Sequence, residues 1–272
     1  MKLDGIGVAG CGRMGGPMLA ALRHAGFPAR GFDVRPVTEF GELAPAMTND
    51  PAEFATGLRT LITVVRDSAQ TDDVLFDAQG FATAPELSQV IICSTLSPRY
   101  VVSLKDRIAP HIALIDAPMS GAQIAAQQAR LSFMLGGTDG NLDAAHPLFD
   151  AMGAHFHRMG EFGAGMQAKV LNNLLAASNT AMTRLVLDWA DEAGLDTGKL
   201  LDLIETSSGR NWFASGFDDI EFSCDGYSES NTIGILVKDV ESALDAAPDR
   251  AETDLPRQVQ ATLNALRPRA RV

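Results

Sequence analysis

The 272-residue sequence predicts an α/β fold, a doubly wound parallel sheet, followed by an all-α C-terminal domain. Three observations predict it. Up to about residue 160, short apolar runs alternate with helix-like stretches, the pattern of βαβ units and so of a parallel sheet covered on both faces. After Met159 the alternation stops, and an almost unbroken helical pattern rich in Ala, Leu, Met and Asn covers residues 165–193. Between these, the first strand-like run ends in a glycine-rich turn that opens a helix.

In chain order, residues 6–9 read as a strand, 15–25 as an amphipathic helix and 29–33 as a second strand. Further strands are expected at 61–65, 90–93, 112–116 and 131–135, with helices at 70–76 and 99–108. His155 and His157 share one face of a short strand-like run. Without a nearby carboxylate or an H-E-x-x-H pattern they make no metal site, and none is expected elsewhere. Helices follow near 198–206, 235–247 and 255–266. The change of texture at Glu161 divides the chain into an α/β domain, 1–161, and an all-helical domain, 162–272. The Arg-rich end, Arg267, Arg269 and Arg271, reads as a solvated tail.

Composition removes several function classes. With 46% hydrophobic and 21% charged residues the chain is a globular protein rather than a disordered one. A net charge of −12 repels phosphate backbones, so no nucleic-acid partner is expected. No apolar run approaches the roughly 20 residues of a membrane span, and no signal-peptide pattern precedes the first strand. Cys11, Cys93 and Cys224 are odd in number, widely spaced and in no C-x-x-C pattern, which fits a reducing cytoplasm rather than a disulfide framework.

The turn is Gly10-Cys11-Gly12-Arg13-Met14-Gly15, the G-x-G-x-x-G of a Rossmann dinucleotide-binding domain. Gly10 permits the tight turn, Gly12 lets the backbone approach a pyrophosphate, and Gly15 lets helix and strand pack closely. The N–H groups around Arg13 and Met14, at the helix start, favour the phosphate charge. Asp33 ends the second strand, where a carboxylate accepts from ribose hydroxyls and repels a 2′-phosphate, which points to NAD rather than NADP. Arg35, two residues on, is expected to face solvent or pack on the adenine, with attraction of a 2′-phosphate as the alternative.

Gly15-Gly16-Pro17-Met18, Asp116-Ala117-Pro118-Met119-Ser120-Gly121, Gly163-Ala164-Gly165 followed by Lys169 and Asn173, Ser208-Gly209-Arg210-Asn211-Trp212, and Lys238-Asp239 occur in this order. Together they resemble the β-hydroxyacid dehydrogenase family, which includes 3-hydroxyisobutyrate dehydrogenase and tartronate semialdehyde reductase. The resemblance implies that Ser120 and Gly121 receive the substrate's acid group, and that Val65, Thr95 and Lys238 reach the cofactor. It also implies that Arg210, Asn211 and Trp212 shape specificity. This chain carries Ala122 where the family usually has glycine, and Ala129-Arg130 where Gly-Thr is common.

Read as chemistry, Lys169 and Asn173 are an i, i+4 pair on one helix face, so an ammonium and an amide can meet the same ligand. A lysine can exchange the proton that a substrate oxygen gains or loses as hydride moves, and Asn173 can orient the hydroxyl or carboxylate. The function expected is reversible interconversion of a small 3-hydroxy carboxylate and its semialdehyde. Two alternatives stand beside it: a non-catalytic dinucleotide-binding module with a helical oligomerisation domain, and an imine reductase-like enzyme. The long apolar-rich helix has more surface than its own domain covers, so a homodimer or homotetramer is expected.

Overall fold

The apolar run Ile6–Ala9 forms strand β1, buried at every position as a strand covered on both faces must be. The computed structural model describes residues 3–270, which divide into two compact units on either side of a boundary after Lys169.

In the first unit, β1 leads through helix α1 (Gly15–His24) to β2 (Arg30–Phe32), a 3-10 stretch (Val37–Ala46) and the short β3 (Met47–Thr48). Helix α2 (Pro51–Ala55), β4 (Thr60–Thr63), α3 (Ser68–Leu75), β5 (Gln89–Ile92), α4 (Pro98–Ser103) and β6 (Ala113–Asp116) follow. Next come β7 (Met119–Ser120), α5 (Ala122–Gln127), β8 (Leu131–Gly136), α6 (Asp139–Met152) and β9 (Gly153–Gly160). Local chemistry starts these helices: Asp50 and Asp67 accept first-turn N–H groups of α2 and α3, and Thr138 does so for α6.

The strands form one sheet in the order β3-β2-β1-β4-β5-β6-β8-β7, with β9 beside β8. From β3 to β6 every pairing is parallel, the doubly wound arrangement the alternation predicted. Period-2 alternation splits its side chains between two cores. Ile6, Val8, Ile62, Ile91 and Ile115 face one, and Ala9, Leu61, Val90 and Ile92 face the other. At the far end the parallel pattern stops. β8 meets β6 antiparallel through Asp116 and Gly136, and after the short helix α5 it runs back antiparallel to β7 as well, so this connection does not build a further parallel βαβ unit.

Helix α7 (Ala164–Glu192) realises the long helical pattern, and the division between the units falls inside it, after Lys169. The second unit continues with α8 (Thr197–Glu205), α9 (Trp212–Ser215), α10 (Thr232–Asp245) and α11 (Asp254–Asn264). Ala177 and Ala181 of α7 pack with Ile233, Leu236, Val240 and Leu263, while Leu187 packs with Phe213 and Phe217. The C-terminal segment is not a solvated tail. Arg184 of α7, fully buried, donates to the carbonyl oxygens of Ser223, Asp225 and Arg267 at 2.9, 2.7 and 2.6 Å. Arg269, with a side chain only 9% exposed, pairs with Asp188 and Asp191. Guanidinium groups are weakly hydrated forks that can hold several carbonyls at once, which suits them to this buried clamp. Arg271 lies outside the described residues. Among the described residues no helix is long and apolar enough to cross a membrane.

Candidate active site

The glycine turn takes the shape its spacing demands. Gly10 has φ +91°, and a Cβ there would lie 2.6 Å from the Val64 carbonyl oxygen. At Gly15 a Cβ would lie 2.0 Å from the Gly10 carbonyl oxygen, so only glycine lets α1 start this close to β1. Gly12 is the opposite case: a Cβ there meets nothing within 4 Å, leaving the backbone open to a ligand. Arg13 is exposed, and Met14 is half-buried against the core.

Asp33 follows β2 and is nearly buried. Its Oδ2 accepts the Cys11 N–H at 3.0 Å, so it braces the turn. Arg35 is exposed, as expected, but its guanidinium is not free. Its guanidinium grips the Asp33 carboxylate with two hydrogen bonds, at 3.0 and 3.1 Å, and lies 4.6 Å from the Phe40 ring centroid. Burial pushes the Asp33 carboxyl up, but the hydrogen bonds and charge of Arg35, with the Cys11 amide, outweigh it and hold Asp33 below the ordinary carboxylate value. Burial and the neighbouring Asp33 charge push the Cys11 thiol up to about 12, so it is a neutral packing group.

Val65 and Thr95, both half-buried, lie just beyond β4 and β5, beside the glycine turn along the carboxyl edge of the sheet. A strut absent from the motif reading ties their loops together: the Val65 N–H donates to Ser94 Oγ at 2.9 Å. Beyond β6, the next loop carries half-buried Ser120 and exposed Gly121, the latter at φ +130°. Ala122 then sits at φ +52°, a left-handed conformation that suits the glycine its family usually has there. Ala129 repeats this at φ +51°.

Lys169 is buried on α7, 7% exposed. Within the second unit Asn173, 8% exposed, donates from Nδ2 to Oδ2 of buried Asp239 at 2.6 Å. A carboxylate can only accept, so this bond fixes which way the Asn173 amide points. Lys238, next to Asp239 on α10, is half-buried. Asn231 caps α10 by accepting the Gly234 N–H and donates to the Gly226 carbonyl. Trp212 is 43% exposed, with ring contacts to Phe213 and Phe222, and Arg210 pairs at the surface with Glu205. The structure therefore brings the turn, Asp33, Val65 and Thr95 together on one sheet edge, and joins Asn173 to the Lys238-Asp239 pair. Among the described residues, no group of three or more His, Cys, Asp or Glu is arranged to hold a metal ion.

A doubly wound sheet with this turn at its first strand and an acid after its second defines a dinucleotide-binding oxidoreductase. Residues 5–160 match the family described as the NAD binding domain of 6-phosphogluconate dehydrogenase. Residues 163–269 match the one described as NAD-binding of NADP-dependent 3-hydroxyisobutyrate dehydrogenase. The mitochondrial 3-hydroxyisobutyrate dehydrogenase of Rattus norvegicus is 30% identical over 252 residues, 89% of this chain and 75% of that protein. The L-threonate dehydrogenase of Cupriavidus necator is 30% identical over 247 residues, 89% and 83% of the two chains. The structure of Mycobacterium tuberculosis 3-hydroxyisobutyrate dehydrogenase with L-serine has a TM-score of 0.80 at 25% identity, covering 96% of this chain and 95% of its own. The chain belongs to the β-hydroxyacid dehydrogenase family and is an NAD(P)-dependent hydroxyacid dehydrogenase.

Proposed function

We propose that the protein interconverts a small 3-hydroxy carboxylate and its semialdehyde, with Lys169 as the general acid/base and NAD as the favoured cofactor. The observation that carries the reading is the buried ammonium of Lys169, one helical turn before an asparagine whose amide is locked by Asp239. When bound, the nicotinamide supplies or receives the hydride. Lys169 Nζ gives its proton to the carbonyl oxygen in reduction and accepts the hydroxyl proton in oxidation. Asn173 orients the substrate, and the Ser120 hydroxyl with the Gly121 N–H receives its carboxylate. Trp212, exposed beside Phe213 and Phe222, is assigned to substrate specificity by the family resemblance alone.

The open backbone at Gly12 fits a pyrophosphate, and Gly10, Arg13, Met14 and Gly15 complete that cradle. Asp33 would take the ribose hydroxyls, Val65 and Thr95 the nicotinamide half, and Lys238 a further cofactor contact. Asp33 supports NAD, while the Arg35 guanidinium bound to it softens the repulsion of a 2′-phosphate and keeps NADP the second choice. A homodimer or homotetramer is part of the reading. Leu175, Met182 and Trp189 recur every seven residues on α7 and are all exposed, with Leu171 one turn before them. A reducing cytoplasm suits the free thiols of Cys11, Cys93 and Cys224.

The test is absorbance of the reduced cofactor with NAD or NADP and a panel including 3-hydroxyisobutyrate, L-threonate and L-serine, the acids in the relatives' names. Turnover of at least one acid is expected. Dinucleotide binding without turnover across the panel would favour a non-catalytic module. Lys169→Ala should lower kcat by about 10²–10⁴-fold with dinucleotide Kd unchanged. Sedimentation at micromolar concentration should show an oligomer, and Trp189→Glu should shift it towards monomer.

A further inference from the structure

Asp116 is fully buried, and the hydride chemistry makes no direct use of it. Its two oxygens do separate work. Oδ1 accepts the Gly163 N–H at 2.6 Å, and Oδ2 accepts the Met166 N–H at 2.5 Å. Gly163 immediately precedes α7, and Met166 lies in its first turn. The first N–H groups of a helix have no partner within it and usually rely on the residue at the helix start. Here the cap comes from the end of a strand 47 and 50 residues earlier in the chain.

The space around the carboxylate is cut to fit. A Cβ on Gly136 of β8 would lie 2.1 Å from Oδ1. A Cβ on Gly165 would lie 3.0 Å from Oδ2 and 2.3 Å from the Met134 carbonyl oxygen. Two glycines on two elements thus make room for one side chain. Met166 is further held by the Leu96 N–H, which points at its sulfur at 3.3 Å. From Asp116 the chain reaches Ser120 in four residues, and from Met166 it reaches Lys169 in three. One carboxylate therefore anchors both the loop of Ser120 and Gly121 and the helix turn that leads to the lysine.

We infer that Asp116 is a positioning residue for Lys169, fixing the first turn of α7 against the Ser120 loop so that Nζ is held where the substrate oxygen must be. The inference rests on the acid/base role proposed for Lys169, so Lys169→Ala is measured beside it. Asp116→Asn keeps the shape but replaces one acceptor oxygen by an NH2 that faces a helix N–H. Asp116→Ser is the second variant, smaller and with one acceptor. The expected result is a kcat lower by about 10–100-fold, the cost of a catalytic group displaced by about 1 Å. Dinucleotide Kd stays at its wild-type value, and the pH of half-maximal kcat moves, because the misplaced group is the one that exchanges the proton.

A wild-type kcat in Asp116→Asn, beside an inactive Lys169→Ala, overturns the inference and leaves the lysine assignment standing. A lower kcat with an unmoved pH profile also overturns it, since that is the mark of a structural role alone. Loss of dinucleotide binding in both Asp116 variants overturns it too, making Asp116 a determinant of the whole unit. Full turnover by Lys169→Ala is the separate failure of the lysine assignment itself.

Discussion

Asp33 and Asp116 are both buried carboxylates at the carboxyl edge of the same sheet, each accepting backbone N–H bonds from a functional turn. They are stabilised by different means. Asp33 has a cation on it, Arg35, reached two residues along the chain. Asp116 is held by the amides of Gly163 and Met166, and the cation acting on it most is the weaker, indirect charge of Lys105. Burial raises the proton affinity of both, and Arg35 reverses this for Asp33. For Asp116, burial wins over the two amides and the carboxyl stays above its ordinary value. A local ion pair makes a robust carboxylate. A carboxylate held by distant backbone is one whose state depends on the fold remaining closed.

The difference can be broken from either side. The largest effect expected after the catalytic substitutions is on cofactor choice. Asp33→Asn replaces one acceptor oxygen by a donor and removes the negative charge proposed to meet the ribose while leaving Arg35, and the ratio of kcat/KM for NAD over NADP should fall by about tenfold, the cost of roughly one charge-assisted hydrogen bond. Arg35→Ala should move the ratio the other way. Steady-state kinetics with both cofactors reads both variants, and an unchanged ratio in both would remove Asp33 from cofactor recognition.

Stability against pH separates the two acids by sign. Asp33 has a depressed value in the folded state, so the stability it adds is present above the ordinary 3.8 and is lost as pH falls through its folded value. Asp116 has a raised value, so its favourable contribution is present below 3.8 and is lost as pH rises through its folded value. In denaturant titrations, the advantage of wild type over Asp33→Asn should therefore shrink on acidification below 3.8. Relative to Asp116→Asn, wild type should gain as pH is lowered from neutrality towards 3.8. Parallel curves for the two variants would contradict the contrast.

The smallest effect concerns the loops themselves. At the Asp33-braced turn the positive φ falls on Gly10, whereas the loop after Asp116 places Gly121 and then Ala122 in positive φ. Ala122→Gly should stabilise the protein by about 0.5–1 kcal/mol, since relief of left-handed strain exceeds the added chain entropy of glycine. A lower melting temperature for this variant would show that the alanine methyl packs favourably enough to offset the strain.

Much of the first unit was legible because its signals are local. The spacing of Gly10, Gly12, Gly15 and Asp33 carries the turn, and the 3.6-residue period carries α7 almost to its observed ends. Helix α6 is not legible in the sequence because it opens on Thr138-Asp139-Gly140-Asn141, a composition that reads as a loop, and contains Pro147. The direction of β8 was likewise hidden, because alternation reports which residues face a core but not which way a strand runs.

The sequence by itself determined the class of fold, the dinucleotide turn and the candidate lysine, since each depends on residues a few positions apart whose geometry the backbone sets. Only the tertiary structure decided what the polar groups are bonded to. Asp116 finds Gly163 and Met166, Asn173 finds Asp239 across 66 residues, and Arg184 and Arg269 tie the C-terminal segment to α7. Burial forces each of these groups to find a partner, and packing alone chooses which one, because elements far apart in the chain meet only when apolar faces that have no directional preference come together.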